Sequence, residues 1–134
     1  MDTKELQIGD WVLYTEFGKN EFHRVEIVEP TRVWLNGCNT YVPDEFIKPI
    51  PITPEILEKN GFVRIEEYEK YEWSKNFAEA WVIFGERPCS GKLHAVHIED
   101  YSRQIPLHYH DSIDYVHELQ HALRSCRIKK DIVL

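Results

Sequence analysis

Three prolines within six residues, Pro49, Pro51 and Pro54, constrain this chain more than any other feature. Proline has no backbone N–H to give a sheet, and inside a helix its ring clashes with the preceding turn. A segment carrying it at this density is confined to an edge strand or a connection. The run Pro49-Ile50-Pro51-Ile52-Thr53-Pro54 therefore reads as the join between two parts, residues 1–52 and 53–134.

The first part reads as short strands broken by turn residues. Trp11-Val12-Leu13-Tyr14 follows Gly9-Asp10, and Phe22 to Val28 follows Gly18-Lys19-Asn20. In the second of these, Val25 and Ile27 alternate with charges, as in a half-buried strand. Arg32-Val33-Trp34-Leu35 and Thr40-Tyr41-Val42 flank Asn36-Gly37, a hairpin signal because a type I′ turn needs positive φ at both central positions. Pro43-Asp44-Glu45-Phe46 reads as one helical turn, and Ile47 to Ile52 as a closing edge strand. Short strands with a helical turn before the last are the order of an SH3-like β-barrel, and Ile8-Gly9-Asp10-Trp11-Val12 resembles the opening of KOW and Tudor-type barrels.

In the second part, Thr53 with Pro54 and Glu55 predicts a capped helix over about 54–60, stopped at Asn60-Gly61. Strands are expected over 62–68, 77–84 and 92–98, with Ser102–Leu107 as a further candidate, and then a helix over 112–126. The acidic run from Glu66 to Glu72 reads as a solvated strand face and turn. The fold class is α+β: an SH3-like barrel followed by a helix, an antiparallel meander and a second helix.

Composition bounds the function classes. The formal net charge of −7 disfavours nucleic acid, since phosphate backbones call for clustered Lys and Arg. Arg124, Arg127, Lys129 and Lys130 form the nearest approach to a basic patch, and cations there also suit the end of a helix. No segment approaches the ~20 apolar residues of a membrane span, and the first residues do not read as a signal peptide, so a cytoplasmic protein is expected. Cys38, Cys89 and Cys126 lie far apart, without a C-x-x-C pair, and read as unbridged thiols. Trp11, Tyr14, Trp34 and Tyr41 read as barrel core, with an aromatic ligand groove as the alternative.

One string names a chemistry. His117-Glu118-Leu119-Gln120-His121 is H-E-x-x-H, which on a helix sets two imidazoles one turn apart as zinc ligands, with Glu118 as general base. His108 or His110 would be the third ligand. Against this stand the short chain beyond His121, where zinc peptidases usually place the third ligand, and the ease with which three polar positions recur on a helix. Ile113, Val116, Leu119, Gln120 and Leu123 form the packed stripe, and His117 and His121 point away from it.

Glu5-Leu6-Gln7-Ile8-Gly9-Asp10-Trp11-Val12, Pro51-Ile52-Thr53-Pro54-Glu55-Ile56-Leu57 continuing to Phe62, and Tyr115-Val116-His117-Glu118-Leu119-Gln120 together resemble a group of small proteins carried by gut anaerobes, their phages and mobile elements. The similarity runs over nearly the whole chain and implies no particular activity. It implies that asparagine often stands at the position of His121, and that glutamine can stand at that of Glu118, which would make the H-E-x-x-H incidental. The reading is thus a non-enzymatic accessory or adaptor protein with an unidentified protein partner and no cofactor. A zinc hydrolase and a nucleic-acid-binding module are the alternatives.

Overall fold

The computed structural model describes residues 1–67, 70–86, 92–101, 105–107 and 113–134. The chain divides into two compact units, Met1–Ile50 and Pro51–Leu134. It is a mixed α+β protein with one five-stranded antiparallel sheet in each unit. No described helix is long and apolar enough to cross a membrane.

Unit 1 comprises β1 (Trp11–Tyr14), β2 (Glu21–Glu29), β3 (Arg32–Leu35), β4 (Val42–Pro43) and β5 (Ile47–Lys48), with a 3₁₀ turn at Asp44–Phe46 leading into β5. The sheet order is β4-β3-β2-β1-β5. Leu6, Val12, Tyr14, Val25, Val33, Leu35, Val42 and Ile47 form its core. Every second residue of β1 and β3 contributes, as the pleat requires. β5 ends at Lys48, well short of the strand expected as far as Ile52.

The expectation that Val25 and Ile27 share the core face is corrected. Between Val25, paired with Leu35, and Ile27, paired with Trp34, the register shifts by one residue at Glu26. A bulge of this kind turns every later side chain to the other face. Ile27 is therefore 44% exposed, and Val28 packs on the core instead. The hairpin expected at Asn36-Gly37 forms, with β3 and β4 antiparallel, and the structure supplies the turn type that the sequence left open. Cys38 N–H donates to the Leu35 carbonyl, Gly37 has φ 86°, and Asn36 does not take a positive φ. That is the pattern of a type II turn rather than type I′.

Unit 2 comprises α1 (Pro54–Lys59), β6 (Val63–Glu67), β7 (Lys70–Asn76), β8 (Ala80–Glu86), β9 (Leu93–Asp100), β10 (Ile105–Leu107) and α2 (Val116–Ser125). The sheet is a simple meander, β10-β9-β8-β7-β6. Thr53 caps α1 by accepting the Ile56 N–H, with Pro54 in the first turn, as the sequence predicts. Ala80, Val82 and Phe84 line one face of β8, and the Phe62 ring meets Phe84 edge-on at 5.7 Å. In β9 the extra residue Val96 lies where the register shifts, so Leu93, Ala95, Ile98 and Asp100 are all buried despite the break in alternation.

The sequence reading misses β7 and displaces β8. Lys70–Asn76 has the composition of a polar turn, yet Trp73 buries its ring and the backbone pairs with both neighbours. The expected strand over 77–84 begins at Ala80 instead. Phe77-Ala78-Glu79 makes the connection, with Ala78 at φ 64° and Phe77 N–H donating to the Ala80 carbonyl.

Candidate functional site

α2 carries the H-E-x-x-H segment and begins at Val116, later than expected. Ser112 lies outside the described residues, and residues 113–115 are extended. Ala95 N–H donates to the Ile113 carbonyl, Ile52 N–H donates to the Asp114 carbonyl, and Tyr115 bridges to Pro51. Backbone groups committed to those partners do not enter a helix. The helix starts where Glu118 turns its carboxylate back, Oε1 accepting the N–H groups of Asp114 and Tyr115 at 3.0 Å each. This is the reciprocal half of a capping box, with glutamate at the third helical position.

The packed surface of α2 is wider than the single stripe read from the sequence. Val116, Leu119, Gln120 and Leu123 are buried as expected, and so are Ala122 and His117, the last at 4% exposure. The Tyr115 ring stacks on the His117 imidazole at 6.1 Å, and the His121 ring stands edge-on to it at 5.7 Å. The two histidines of the motif are thus neighbours in space, one turn apart. Among the described residues no group of three or more His, Cys, Asp or Glu side chains is placed to hold a metal ion. His108 and His110 lie outside the described residues. What is described supplies two of the three protein ligands that a catalytic zinc site takes, and a glutamate whose oxygen is engaged by backbone. These residues alone do not make a zinc site.

The cap has a measurable consequence. Glu118→Gln keeps an acceptor oxygen and is expected to leave stability nearly unchanged. Glu118→Ala should cost about 1 kcal/mol, read by urea denaturation. Equal losses in both variants would show that the negative charge, rather than the hydrogen bonds, matters there.

The opposite end of α2 gathers the cations that the sequence reading assigned to helix termination. Ile128 N–H donates to the Leu123 carbonyl and Arg127 N–H to that of Arg124, the two bonds of a Schellman motif. Arg127 occupies the left-handed position of that motif, at φ 62°. At the end of α1 the same two bonds run from Phe62 to Leu57 and from Gly61 to Glu58, and there a glycine takes the position, at φ 84°. Beyond α2 the chain bounds a cavity of about 460 Å³, whose lining includes Arg124, Arg127, Lys129, Lys130 and Asp131.

Lys130 also lies beside Lys75 on β7. Burial and the neighbouring Lys130 ammonium push the Lys75 pKa down from its ordinary 10.5 to about 8. The Lys75 ammonium donates to the Asn60 carbonyl at 2.6 Å and sits 4.6 Å from the centre of the Phe77 ring. Between about pH 8 and pH 10.5 the unfolded chain then holds more protons at this site than the folded one. Stability should therefore rise with pH across that window. In Lys130→Gln the Lys75 pKa moves back up and the rise shrinks, which denaturation midpoints at several pH values would reveal. An identical rise in the variant would remove Lys130 as a cause.

In unit 1, three of the four aromatics expected in the barrel core lie elsewhere. Tyr14 is in the core, its hydroxyl donating to Glu16 at 2.7 Å, and that bond pushes its pKa up to about 12. Trp11, Trp34 and Tyr41 are half-buried, and Trp11 and Trp34 alternate with core positions of their strands. The Arg24 guanidinium lies 4.7 Å from the Trp11 ring, and that of Arg32 lies 3.9 Å from the Tyr41 ring. In the alternative reading, an aromatic groove, two of these rings are already covered in part by arginines. Sequence reasoning overlooked Phe17, which sits in the β1–β2 connection at φ 58° with 87% of its surface exposed. Its only sequence signal is an apolar residue beside Gly18. Cys38 and Cys126 are unbridged, burial pushes the Cys38 thiol pKa up, and Cys89 lies outside the described residues. No protein-family model, curated protein or solved structure matches the chain, so the geometry of its own residues carries the functional reading.

Proposed function

We propose that the chain is a non-enzymatic accessory or adaptor protein of the cytoplasm, acting by protein contact through unit 1, and that unit 1 is an SH3-like barrel. The strand order β4-β3-β2-β1-β5 supports the barrel, with a 3₁₀ turn before β5 and a β2 strand that changes face at its bulge to pair with β1 along one half and β3 along the other. Phe17 carries the contact reading. An aromatic ring at 87% exposure on a left-handed backbone position leaves both its apolar surface and its strain uncompensated. A partner that covers the ring recovers the first, and anchoring aromatics of this kind dominate binding energy in protein interfaces.

The test compares wild type and Phe17→Asn as immobilised baits, since asparagine tolerates the left-handed conformation. Wild type is expected to retain a stoichiometric protein partner from a lysate of the producing cells, and the variant to lose it while unfolding at the same or a higher temperature. Equal capture by both, or none by wild type, would refute the reading.

A zinc hydrolase is the second reading, favoured by the approach of the His117 and His121 rings. Stoichiometric zinc in tag-free protein, lost in a His117→Ala/His121→Ala variant, would carry it. Metal-free protein prepared without chelators would end it. The nucleic-acid alternative lacks such an observation and stands against a net charge of −7.

A further inference from the structure

The cavity beyond α2 combines three properties that a helix end does not need. Its size, about 460 Å³, falls in the range of roughly 300–1,000 Å³ typical of small-molecule sites. Its wall sets four cations, Arg124, Arg127, Lys129 and Lys130, against one carboxylate, Asp131, in a chain whose net charge is −7. The charged residues stand exposed around its mouth, and Leu123, Ile128 and Ile132, largely buried, form the apolar floor between them. The macrodipole of α2 opposes an anion with only about half a charge, and its carbonyls at Leu123 and Arg124 are already bonded by the Schellman turn.

Arg127 is the informative residue. The turns that end α1 and α2 have the same hydrogen bonds, and each puts one residue in the left-handed region, where a Cβ is strained. The first uses Gly61. The second uses an arginine and accepts the strain, and that arginine lines the cavity. Backbone economy alone favours glycine in both turns, so the guanidinium is what the second position adds. Lys75 lies beside the same cluster, its pKa lowered first by burial and then by the Lys130 ammonium.

We propose that this cavity binds a small phosphate ester, its phosphoryl group held by Arg127, Lys129 and Lys130 and its organic part packed on Leu123, Ile128 and Ile132. Planar guanidinium donors and ammonium point charges suit a compact dianion, and the apolar floor selects an ester over the free ion. A concave site of this volume suits a small molecule better than a polymer backbone, which needs an extended basic stripe.

The test is calorimetric titration of the full chain with phenyl phosphate, inorganic phosphate and heparin. Phenyl phosphate is expected to bind one per chain and about tenfold more tightly than inorganic phosphate, the difference coming from the buried ring. Arg127→Gly should raise the thermal midpoint, because the strain is gone, while weakening phenyl phosphate by about tenfold. A variant that is stabilised but binds as well as wild type would overturn the assignment. So would the absence of phenyl phosphate binding, or binding of heparin alone, which would mark a polyanion surface. A Lys129→Gln/Lys130→Gln variant must show the same weakening and supplies the test if Arg127→Gly does not fold.

Discussion

Replacing Asp10 with alanine is expected to lower the stability of unit 1 by about 1–3 kcal/mol, the range for removing one partner of a buried hydrogen bond. Asp10 is fully buried, and its Oδ2 accepts the Gln7 N–H at 2.8 Å. Its backbone completes the same turn, with Asp10 N–H donating to the Gln7 carbonyl and Gly9 at φ 91°. Two further bonds fasten that turn to β2, from Gly9 N–H to the Val25 carbonyl and from Val25 N–H to the Asp10 carbonyl. Alanine leaves the Gln7 amide without its acceptor and empties space at the edge of the core. Asp10→Asn keeps an oxygen there and should recover part of the loss. Chemical denaturation of the three proteins decides the matter. A loss below about 0.5 kcal/mol, typical of a surface substitution, would show that the turn holds by its backbone alone.

Asn60→Ala should destabilise unit 2 by about 2 kcal/mol, from three side-chain hydrogen bonds worth roughly 1 kcal/mol each, less what water restores at the exposed Val133. The Asn60 Nδ2 donates to the carbonyls of Ile56 at 2.8 Å and Val133 at 2.7 Å, and its Oδ1 accepts the Val133 N–H at 2.8 Å. One amide therefore ends α1 and holds the last residues of the chain, where Ile132 is buried and Lys59 donates to the Leu134 oxygen at 2.7 Å. Hydrogen exchange gives a second readout: the Val133 amide should be protected in wild type and exchange freely in the variant. Asn60→Asp keeps the acceptor but sets a carboxylate oxygen against the Ile56 and Val133 carbonyls, and should be at least as destabilised as Asn60→Ala. Continued protection of Val133 in Asn60→Ala would mean that burial of Ile132 fixes the segment unaided.

How much of the site was legible in the sequence differs between the two ends of α2. The H-E-x-x-H spacing shows that His117 and His121 share a side of a helix, and their rings do meet. It does not show that Glu118 faces the helix start, because that depends on where the helix begins. The start is fixed by backbone bonds of residues 113–115 to Ala95 and to the Pro51-Ile52 segment, all distant in the chain. At the other end, Arg124, Arg127, Lys129 and Lys130 are visible as a basic cluster. That these exposed residues line one cavity follows from the Schellman turn, which reverses the chain over its own last helical residues.

What the sequence by itself determined is local. The α+β character, the proline-marked junction, the cap and stop of α1 and the positions of β1, β3, β9 and the body of α2 all follow from periods and turn chemistry that act within a few residues. Tertiary structure alone decided the rest. The bulges at Glu26 and Val96 reverse the faces of two strands, so Ile27 leaves the core and Ile98 enters it. β7 exists although its sequence is largely polar, because its backbone is paired on both sides and Trp73 is buried. The physical reason is the same in each case. A backbone amide or a bulge position is satisfied by partners distant in the chain, and no alternation of residue types within one segment records which partner that will be.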